Sequence, residues 1–307
     1  MAAPAAILFS GIFAMLEQQL LNALTLGCVY ALFALGFTLI FGVLEVINLS
    51  HGAVFMVGSY AALSAVSNLG APLWLAILIA MLFCGLIGLL VDFFILKPLR
   101  ARGAPHLIPM IATIGVGIFL TNLAQGLFGA EIRRFPEKTL PAGEFTIGQI
   151  HVQALEIAIV AIAFSLMAVL FVVLRRTQLG RALRAIAESP KAACLLGINV
   201  EGLFHLTAFV AAALGGAAGV LIGLNFNAIT PFMGQPILHK GIAVIILGGM
   251  GDIRGALIGG LFLGFAEVFS KGYLSSQMGD AVAFGLLFLI LLVRPTGLFG
   301  HVLERKA

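Results

Sequence analysis

The chain has 307 residues, of which 61% are hydrophobic and only 10% are charged. Its mean hydropathy of +1.15 leaves too few polar residues to cover a water-soluble globule, so a soluble enzyme or binding domain is excluded and a polytopic membrane protein is predicted. The net charge is +4, but the basic residues lie in short segments beside apolar stretches, where they set membrane orientation, so we expect no nucleic-acid partner.

The N-terminal residues 1–18 are apolar, but they are short and lack the basic start of a signal peptide. Glu17, Gln18 and Gln19 then separate them from the next apolar stretch. We therefore predict that residues 1–18 form a leader or interfacial segment rather than a membrane span.

The rest of the chain predicts an all-α fold in a single domain, 1–307, with about eight or nine transmembrane or half-membrane helices. The predicted elements are 20–43, 52–68, 73–96, 107–128, 154–174, 203–224, 239–250, 255–270 and 281–294. Two of them look short or broken: Gly58 interrupts 53–67, and 241–251 has about half the usual length. Such elements need protein or water around them at membrane depth, so a substrate path is expected there.

Charge asymmetry predicts the orientation. The basic segments that are expected to be cytoplasmic contain Lys97, Arg100, Arg102, the basic residues of 175–191, Arg254, Arg294, Arg305 and Lys306. Charges of both signs nearly cancel in the 129–153 loop and around Lys271, which fits the outer side. An odd number of elements would place the N-terminus outside and the C-terminus inside.

Small residues recur at helical spacing in two stretches. The first span carries Gly27, Ala31, Ala34, Thr38 and Gly42, and the stretch 248–264 carries Gly255, Gly259, Gly260 and Gly264. Helices in lipid associate by close approach through small residues, so each stripe predicts a helix contact.

The basic segment 175–200 lies between two spans. Residues 180–187 predict about two helical turns with Arg181, Arg184 and Glu188 on one face and Leu183, Ile186 and Ala187 on another. Ser189 and Pro190 predict the cap and first turn of a second short helix, which Gly197 ends. A bent, capped pair of surface helices favours the docking of a soluble partner over a loop that only sets orientation.

Three stretches resemble the permease subunits of ATP-binding-cassette importers for branched-chain amino acids, of the LivH type. They are QLLNALTLGCVYALFALGFTLIFGVLEVINLSHGAVFMVGSYAA, GRALRAIAESPKAACLLGINV and KGIAVIILGGMGDIRGALIGGLFLGFAE, and the resemblance covers most of residues 18–296. It implies a bacterial inner-membrane protein whose partners are a second, LivM-type permease subunit, two cytoplasmic ATPase subunits, a periplasmic substrate-binding protein and membrane lipid.

The resemblance also implies roles for individual residues. It implies a coupling helix that inserts into the ATPase and is formed or braced by Gly180, Arg181, Arg184, Ala187, Glu188, Ala193 and Gly197, with the bend at Pro190. It places the turn 48–52 at a break in the membrane domain. Ala53 departs from the polar or acidic residue that relatives often carry after His-Gly, which leaves urea or a short amide open as the cargo.

The chain carries no phosphate-binding GxxxxGK[ST] motif and no catalytic signature, and its six histidines are scattered. We therefore expect no catalytic residue, no metal and no cofactor, and ATP hydrolysis by another chain. An ion-coupled carrier remains the alternative class, although such carriers place ionisable groups in mid-span, where this sequence offers hardly any.

Candidate residues of the substrate path or of the structural break are polar groups in or beside the spans. They are Asn22, Thr25, Tyr30, Asn48, His51, Gly52, Asn225, Asn227, Gln235 and Lys240. His51 is interpreted as a structural lock of the break, and the Lys240 amine could extend to the outer interface.

Overall fold

The computed structural model describes residues 3–105, 107–139, 143–147, 150–275 and 277–299. The expected cytoplasmic residues Arg305 and Lys306 therefore lie outside the described residues. The helices are α1 (Ala3–Leu44), α2 (His51–Leu69), α3 (Leu73–Val91), α4 (Lys97–Ala101), α5 (Leu107–Phe128), α6 (Ala154–Arg176), α7 (Gln178–Glu188), α8 (Pro190–Leu195), α9 (Val200–Phe226), α10 (Gly234–Gly248), α11 (Ile253–Tyr273) and α12 (Gly279–Val293).

Seven of the described helices are long and apolar enough to cross a bilayer, and α10 and α12 are shorter apolar helices. This confirms the predicted all-α polytopic membrane fold. A π-helical turn, Asp92–Leu96, joins α3 to α4, and a 3₁₀ turn, Glu137–Thr139, follows α5. A small antiparallel hairpin, β1 (Glu144–Ile147) and β2 (Ile150–Gln153), leads into α6.

The first helix corrects the boundary that was expected after residue 18. It runs without a break from Ala3 to Leu44, through Glu17, Gln18 and Gln19. These three residues are good helix formers, so their polarity does not end a helix. The helix boundary expected after residue 18 is therefore wrong, while the leader or interfacial role of residues 1–18 stays a prediction. Residues 1 and 2 lie outside the described part of the chain.

The second helix corrects the predicted interruption at Gly58. It is continuous for 19 residues. A Cβ on Gly58 would lie 2.5 Å from the Cα and the carbonyl oxygen of Gly216 in α9. Gly58 is therefore a point of close helix packing and does not break the helix.

The break lies instead just before α2, in residues 45–50, which we call the central turn. Ser50 of this turn faces Gly117, since a Cβ on Gly117 would lie 3.6 Å from the Ser50 Cα, and Gly117 is near the middle of α5. The ring of His51, the first residue of α2, lies 4.7 Å from that of Phe33 in α1. Alpha-2 therefore begins at mid-depth in the bundle, at the break expected around 48–52.

Helix α10 also begins at this depth. Gly234, its first residue, packs directly on the backbone of Gly52. From there α10 runs beside α1, with Gly241 against Phe33, and the residues that follow α10 reach Gly42, since a Cβ on Gly42 would lie 3.5 Å from the Gly251 carbonyl oxygen. The short element predicted at 239–250 is thus a 15-residue helix that starts inside the bundle and ends at one face.

Both predicted small-residue stripes form one contact. Gly260 and Gly264 of α11 pack on the backbone of Ala31 and Gly27 of α1, with no room for a Cβ at either glycine. Alpha-1, α2 and α9 form the buried centre, whereas α5 buries only Pro109, Thr113, Leu120 and Ala124.

The basic segments within the described residues collect at one face. Lys97 forms an ion pair with Glu201 at the start of α9 (3.4 Å), and the chain after Arg294 pairs with the end of α10 through Leu298 N–H and the Leu247 carbonyl (2.8 Å). At the opposite face, Arg133 pairs with Ile229 as an isolated antiparallel bridge. This grouping agrees with the predicted charge asymmetry.

Candidate functional site

The predicted surface helices are present in the basic segment. The Thr177 hydroxyl accepts a hydrogen bond from Gly180 N–H (3.2 Å) and caps α7, and the Ser189 hydroxyl accepts one from Ala192 N–H (3.3 Å) and caps α8. Gly197 has φ +81° and follows the last turn of α8. Alpha-7 extends from 178 to 188, so it is longer than the two turns predicted.

One face of these helices anchors them to the bundle. Leu183, Ile186 and Ala193 are buried. Gly180 packs on the backbone of Leu174 with no room for a Cβ, and the Arg184 guanidinium donates a hydrogen bond to the Leu174 carbonyl. Gly180 and Arg184 thus brace the segment against the end of α6, and Ala193 is the buried residue of α8.

The other face is exposed. It presents Arg181, Ala187, Glu188 and Pro190. Ala187 was expected on the face of Leu183 and Ile186, but it is exposed and lines a cavity of about 410 Å³ whose lining also includes Arg175 and Arg254. That cavity opens where α1, α6, α7 and the start of α11 meet.

The end of α8 carries an apolar feature that the sequence analysis missed. Leu195 and Leu196 are 89% and 78% exposed, although large apolar side chains usually avoid water. The signal in the sequence was the Leu-Leu pair directly before Gly197, on a short helix too polar to span a membrane.

The central turn is held by its own side chains. The Asn48 amide oxygen accepts hydrogen bonds from Ser50 N–H (3.1 Å) and from the Ser50 hydroxyl (2.6 Å). Leu49 N–H donates to the Thr113 hydroxyl of α5 (3.1 Å). Asn48, predicted as a path residue, is thus engaged in shaping the break.

His51 is completely buried, with 0% exposure. Neither ring nitrogen has a hydrogen-bond partner of normal geometry among the described residues. Two glycines make room for the ring, because a Cβ on Gly36 or Gly215 would lie 3.2 Å or 2.7 Å from it. The ring of His51 therefore packs between α1 and α9 and holds the start of α2 against both helices. This geometry agrees with the interpretation of His51 as a structural lock, which stays a prediction.

Lys240 is buried at 7% exposure. The predicted extension of its amine to the outer interface is therefore not seen. Its ammonium donates to the Tyr30 hydroxyl (3.1 Å) and pairs with Glu267 (2.8 Å) and Asp280 (2.9 Å). Glu267 also accepts from Tyr30 (2.8 Å) and pairs with Lys271 (2.6 Å). We call these five residues the outer ion cluster; it joins α1, α10, α11 and α12.

The remaining polar candidates lie toward the outer face. Asn22 and Thr25 line a cavity of about 410 Å³ together with Asn225 and Lys271. Asn227 instead ends α9 with φ +43°, and its side-chain oxygen accepts a hydrogen bond from Phe135 N–H (2.9 Å).

A second charged group was missed at the inner end. Asp92, in the π-helical turn, is fully buried and pairs with Arg100 and with His205 of α9, each at 2.6 Å. The guanidinium of Arg100 also lies 4.6 Å above the ring of Phe204. Sequence position suggested only a charge near a span end, whereas the fold makes Asp92 the link between α3 and α9.

Comparison with known proteins decides the family. The model of the branched-chain amino acid transport system / permease component family matches residues 19–291. The chain belongs to this family. It is a multi-pass transport permease component whose described helices include seven candidate membrane spans.

Individual relatives agree with the family match. The high-affinity branched-chain amino acid transport system permease protein BraD of Pseudomonas aeruginosa is 38% identical, over 92% of this permease and 95% of BraD. LivH of Escherichia coli K12, a protein of the same description, is also 38% identical with the same coverage. The permease protein LivM of that strain is 27% identical over 92% of this chain and 71% of its own.

Proposed function

We propose that this chain is a permease subunit of an ATP-binding-cassette importer that moves branched-chain, aliphatic amino acids across the bacterial inner membrane. The observation that carries the proposal is the 38% identity, along nearly the whole chain, to two high-affinity branched-chain amino acid permeases. A periplasmic binding protein delivers the amino acid to the outer face, and the chain provides one wall of the path.

The free energy of ATP hydrolysis in the cytoplasm is coupled to the permease through α7 and α8. These helices are braced on α6 by Gly180 and Arg184, so a push on their exposed face reaches the bundle. That face offers a charged group, Arg181, and an apolar pair, Leu195 and Leu196, which a cleft in an ATPase subunit can bury. The chain has no phosphate-binding motif of its own, so two separate ATPase subunits hydrolyse the ATP.

A second permease subunit of the LivM type completes the path. Alpha-5 leaves most of its surface uncovered, and this surface includes Thr121 and Asn122, whose polar groups are costly against lipid. The similarity to LivM as well as to LivH supports a pair of related subunits that pack face to face.

Two alternative functions remain to be compared with this proposal, a different cargo and an ion-coupled carrier. Urea or a short amide could use the same architecture, because the departure at Ala53 removes a polar side chain beside the central turn. An ion-coupled carrier is favoured by the buried Lys240 and Glu267, but both are paired with opposite charges and with Tyr30, so neither is free to carry an ion.

The test is uptake by vesicles that contain this chain, its sister subunit, both ATPase subunits and the binding protein. We expect uphill accumulation of labelled leucine that requires ATP and stops without the ATPase subunits. Uptake of urea in place of leucine contradicts the cargo. Uptake by this chain alone, driven by an ion gradient, contradicts the importer.

A further inference from the structure

A cavity of about 340 Å³ lies between α5, the start of α2 and the start of α10. This volume is at the small end of the range typical of sites for small ligands. Its lining combines apolar side chains with four polar ones, Thr121 and Asn122 from α5 and Gln235 and His239 from α10.

The cavity lies beside the middle of α5, which is long and apolar enough to cross a bilayer. Its lining includes Gly52 and Gly234, the contact from which α2 and α10 begin, and Gly117 near the centre of α5. Polar side chains that face lipid at this depth are costly and rare. Because Asn122, Gln235 and His239 are exposed on this side, the face must border water or protein when the importer is assembled.

The polar groups have free capacity for a ligand. The Asn122 amide nitrogen donates to the Ile118 carbonyl (2.8 Å), which leaves its oxygen as an acceptor toward the cavity. Gln235 and His239 lie one turn apart on α10, and their side chains have no hydrogen-bond partner among the described residues. One helix thus offers an acceptor for an ammonium group and the other offers donors for a carboxylate.

The rest of the cavity lining determines which kind of ligand side chain fits. Ile114, Ile118, Leu238 and Ile242 supply an apolar wall. None of the described residues that line the cavity is an aspartate, glutamate, lysine or arginine, so no such group there compensates a charged side chain of the ligand. The site suits a molecule that is neutral overall, has two charged ends and carries an aliphatic chain.

We infer that this cavity is the half-site through which the permease binds the amino acid during translocation, with Asn122, Gln235 and His239 as the residues that recognise its charged ends. The inference rests on the proposed function and deepens it. Gly52, which lines this cavity next to His51, must stay a glycine for packing, because a Cβ there would lie 2.5 Å from the Gly234 carbonyl oxygen.

The first test measures water access and protection in the complete importer. Cys194 is the exposed native cysteine, and Cys28 and Cys84 are buried. The Cys194→Ser variant therefore serves as a background with little native thiol reactivity. Asn122→Cys and Gln235→Cys are treated with a charged, membrane-impermeant thiol reagent, with and without leucine-loaded binding protein and ATP. Ser165→Cys, exposed in the middle of α6, is the matched control.

We expect both cavity cysteines to react, leucine turnover to slow the reaction, and Ser165→Cys to stay unreactive. In uptake assays, Asn122→Leu should lower the rate of leucine transport about tenfold, because a hydrogen bond to a charged group is lost. Copurification of the ATPase subunits with Asn122→Leu should stay at the wild-type value, which shows that the importer still assembles, and Ser165→Ala should transport normally.

The inference is overturned if the cavity cysteines are as inert as Ser165→Cys, or if leucine does not change their reaction while wild-type vesicles take up leucine. In that case the proposed function stands and only the site is wrong. If wild-type vesicles do not move any aliphatic amino acid, the proposed function fails and the inference fails with it.

Discussion

At the scale of single residues, the ammonium of Lys240 lies 2.8 Å from the carboxylate of Glu267 and 2.9 Å from that of Asp280. Burying these charges is costly, and the mutual pairing offsets that cost only while every partner is present. Removing Lys240 leaves the buried Glu267 with Lys271, whose side chain is 41% exposed, as its remaining counter-charge. The outer ion cluster therefore fixes how α10, α11 and α12 meet rather than supplying large net stability.

Lys240→Met tests this interpretation. We expect it to lower the free energy of unfolding by about 2 kcal/mol, because Glu267 loses its buried counter-charge and keeps only the partly exposed Lys271. Lys97→Met is the control: the Lys97–Glu201 pair is 40% and 51% exposed, and such pairs contribute about 1 kcal/mol or less. Thermal melting of the purified protein in mild detergent compares the two, and equal melting temperatures would contradict a structural role for the cluster.

Residue-level expectations were met where a local pattern was enough. The cap at Ser189 and the turn at Gly197 depend on near neighbours in sequence. The partners of Lys240 are 27 and 40 residues away along the chain, and Tyr30 is 210 residues away, so spacing could not reveal them. Asp92 likewise finds His205 only because α3 packs on α9.

At the scale of elements, the α7–α8 pair carries apolar side chains on two sides, one buried and one exposed. Its buried side chains, such as Leu183 and Ile186, face α6, while the apolar pair at its tip faces outward. A surface helix that only oriented the protein would need neither the caps nor the exposed leucines. This distribution fits a segment that is fixed on one side and received by a partner on the other.

Replacing Leu195 and Leu196 together by serine should abolish most ATPase binding. Burial of each leucine contributes about 1.5 kcal/mol or more, so we expect association at least about a hundredfold weaker while membrane insertion is kept. Leu69→Ser, at a leucine that is 74% exposed at the end of α2, controls for the loss of an apolar surface group. Copurification in mild detergent is the measurement; unchanged recovery of the ATPase would refute docking at α8.

Element boundaries followed the hydropathy pattern well for long spans and poorly at special points. Gly58 looked like a break because glycine weakens isolated helices, but its contact with Gly216 lets α2 and α9 approach closely. The polar residues Glu17 to Gln19 looked like a boundary, although nothing in them ends a helix. At Gly58 tertiary packing, which a single sequence does not show, decided the result, whereas at Glu17 to Gln19 helix propensity did.

At the scale of the whole molecule, the basic segments at one face predict which side meets the cytoplasm. Lys138→Cys and Arg181→Cys are both exposed positions, at opposite faces of the bundle. With Cys194→Ser as background, an impermeant thiol reagent added to intact cells should label Lys138→Cys and should label Arg181→Cys only after the membrane is opened. Labelling of Arg181→Cys in intact cells contradicts the orientation.

The family and the all-α membrane fold could be predicted because apolar stretches recur along the whole chain and three long motifs follow one another in series. The mid-depth cavity could not, since Asn122 and Gln235 are 113 positions apart and meet only when α10 starts beside α5. Of the predicted path residues, Gly52 and Gln235 line this cavity, whereas His51 and Lys240 turn into the bundle.

The uncovered leucines at the tip of α8 also bear on how the cell must make this protein. A copy that reaches the membrane before its ATPase presents Leu195 and Leu196 with nothing to cover them, and bare apolar surface of this kind promotes aggregation. With the proposed ATPase subunit as the cover, synthesis of both subunits together would protect the newly inserted chain, and expression of this chain by itself should give copies that are prone to self-association and degradation.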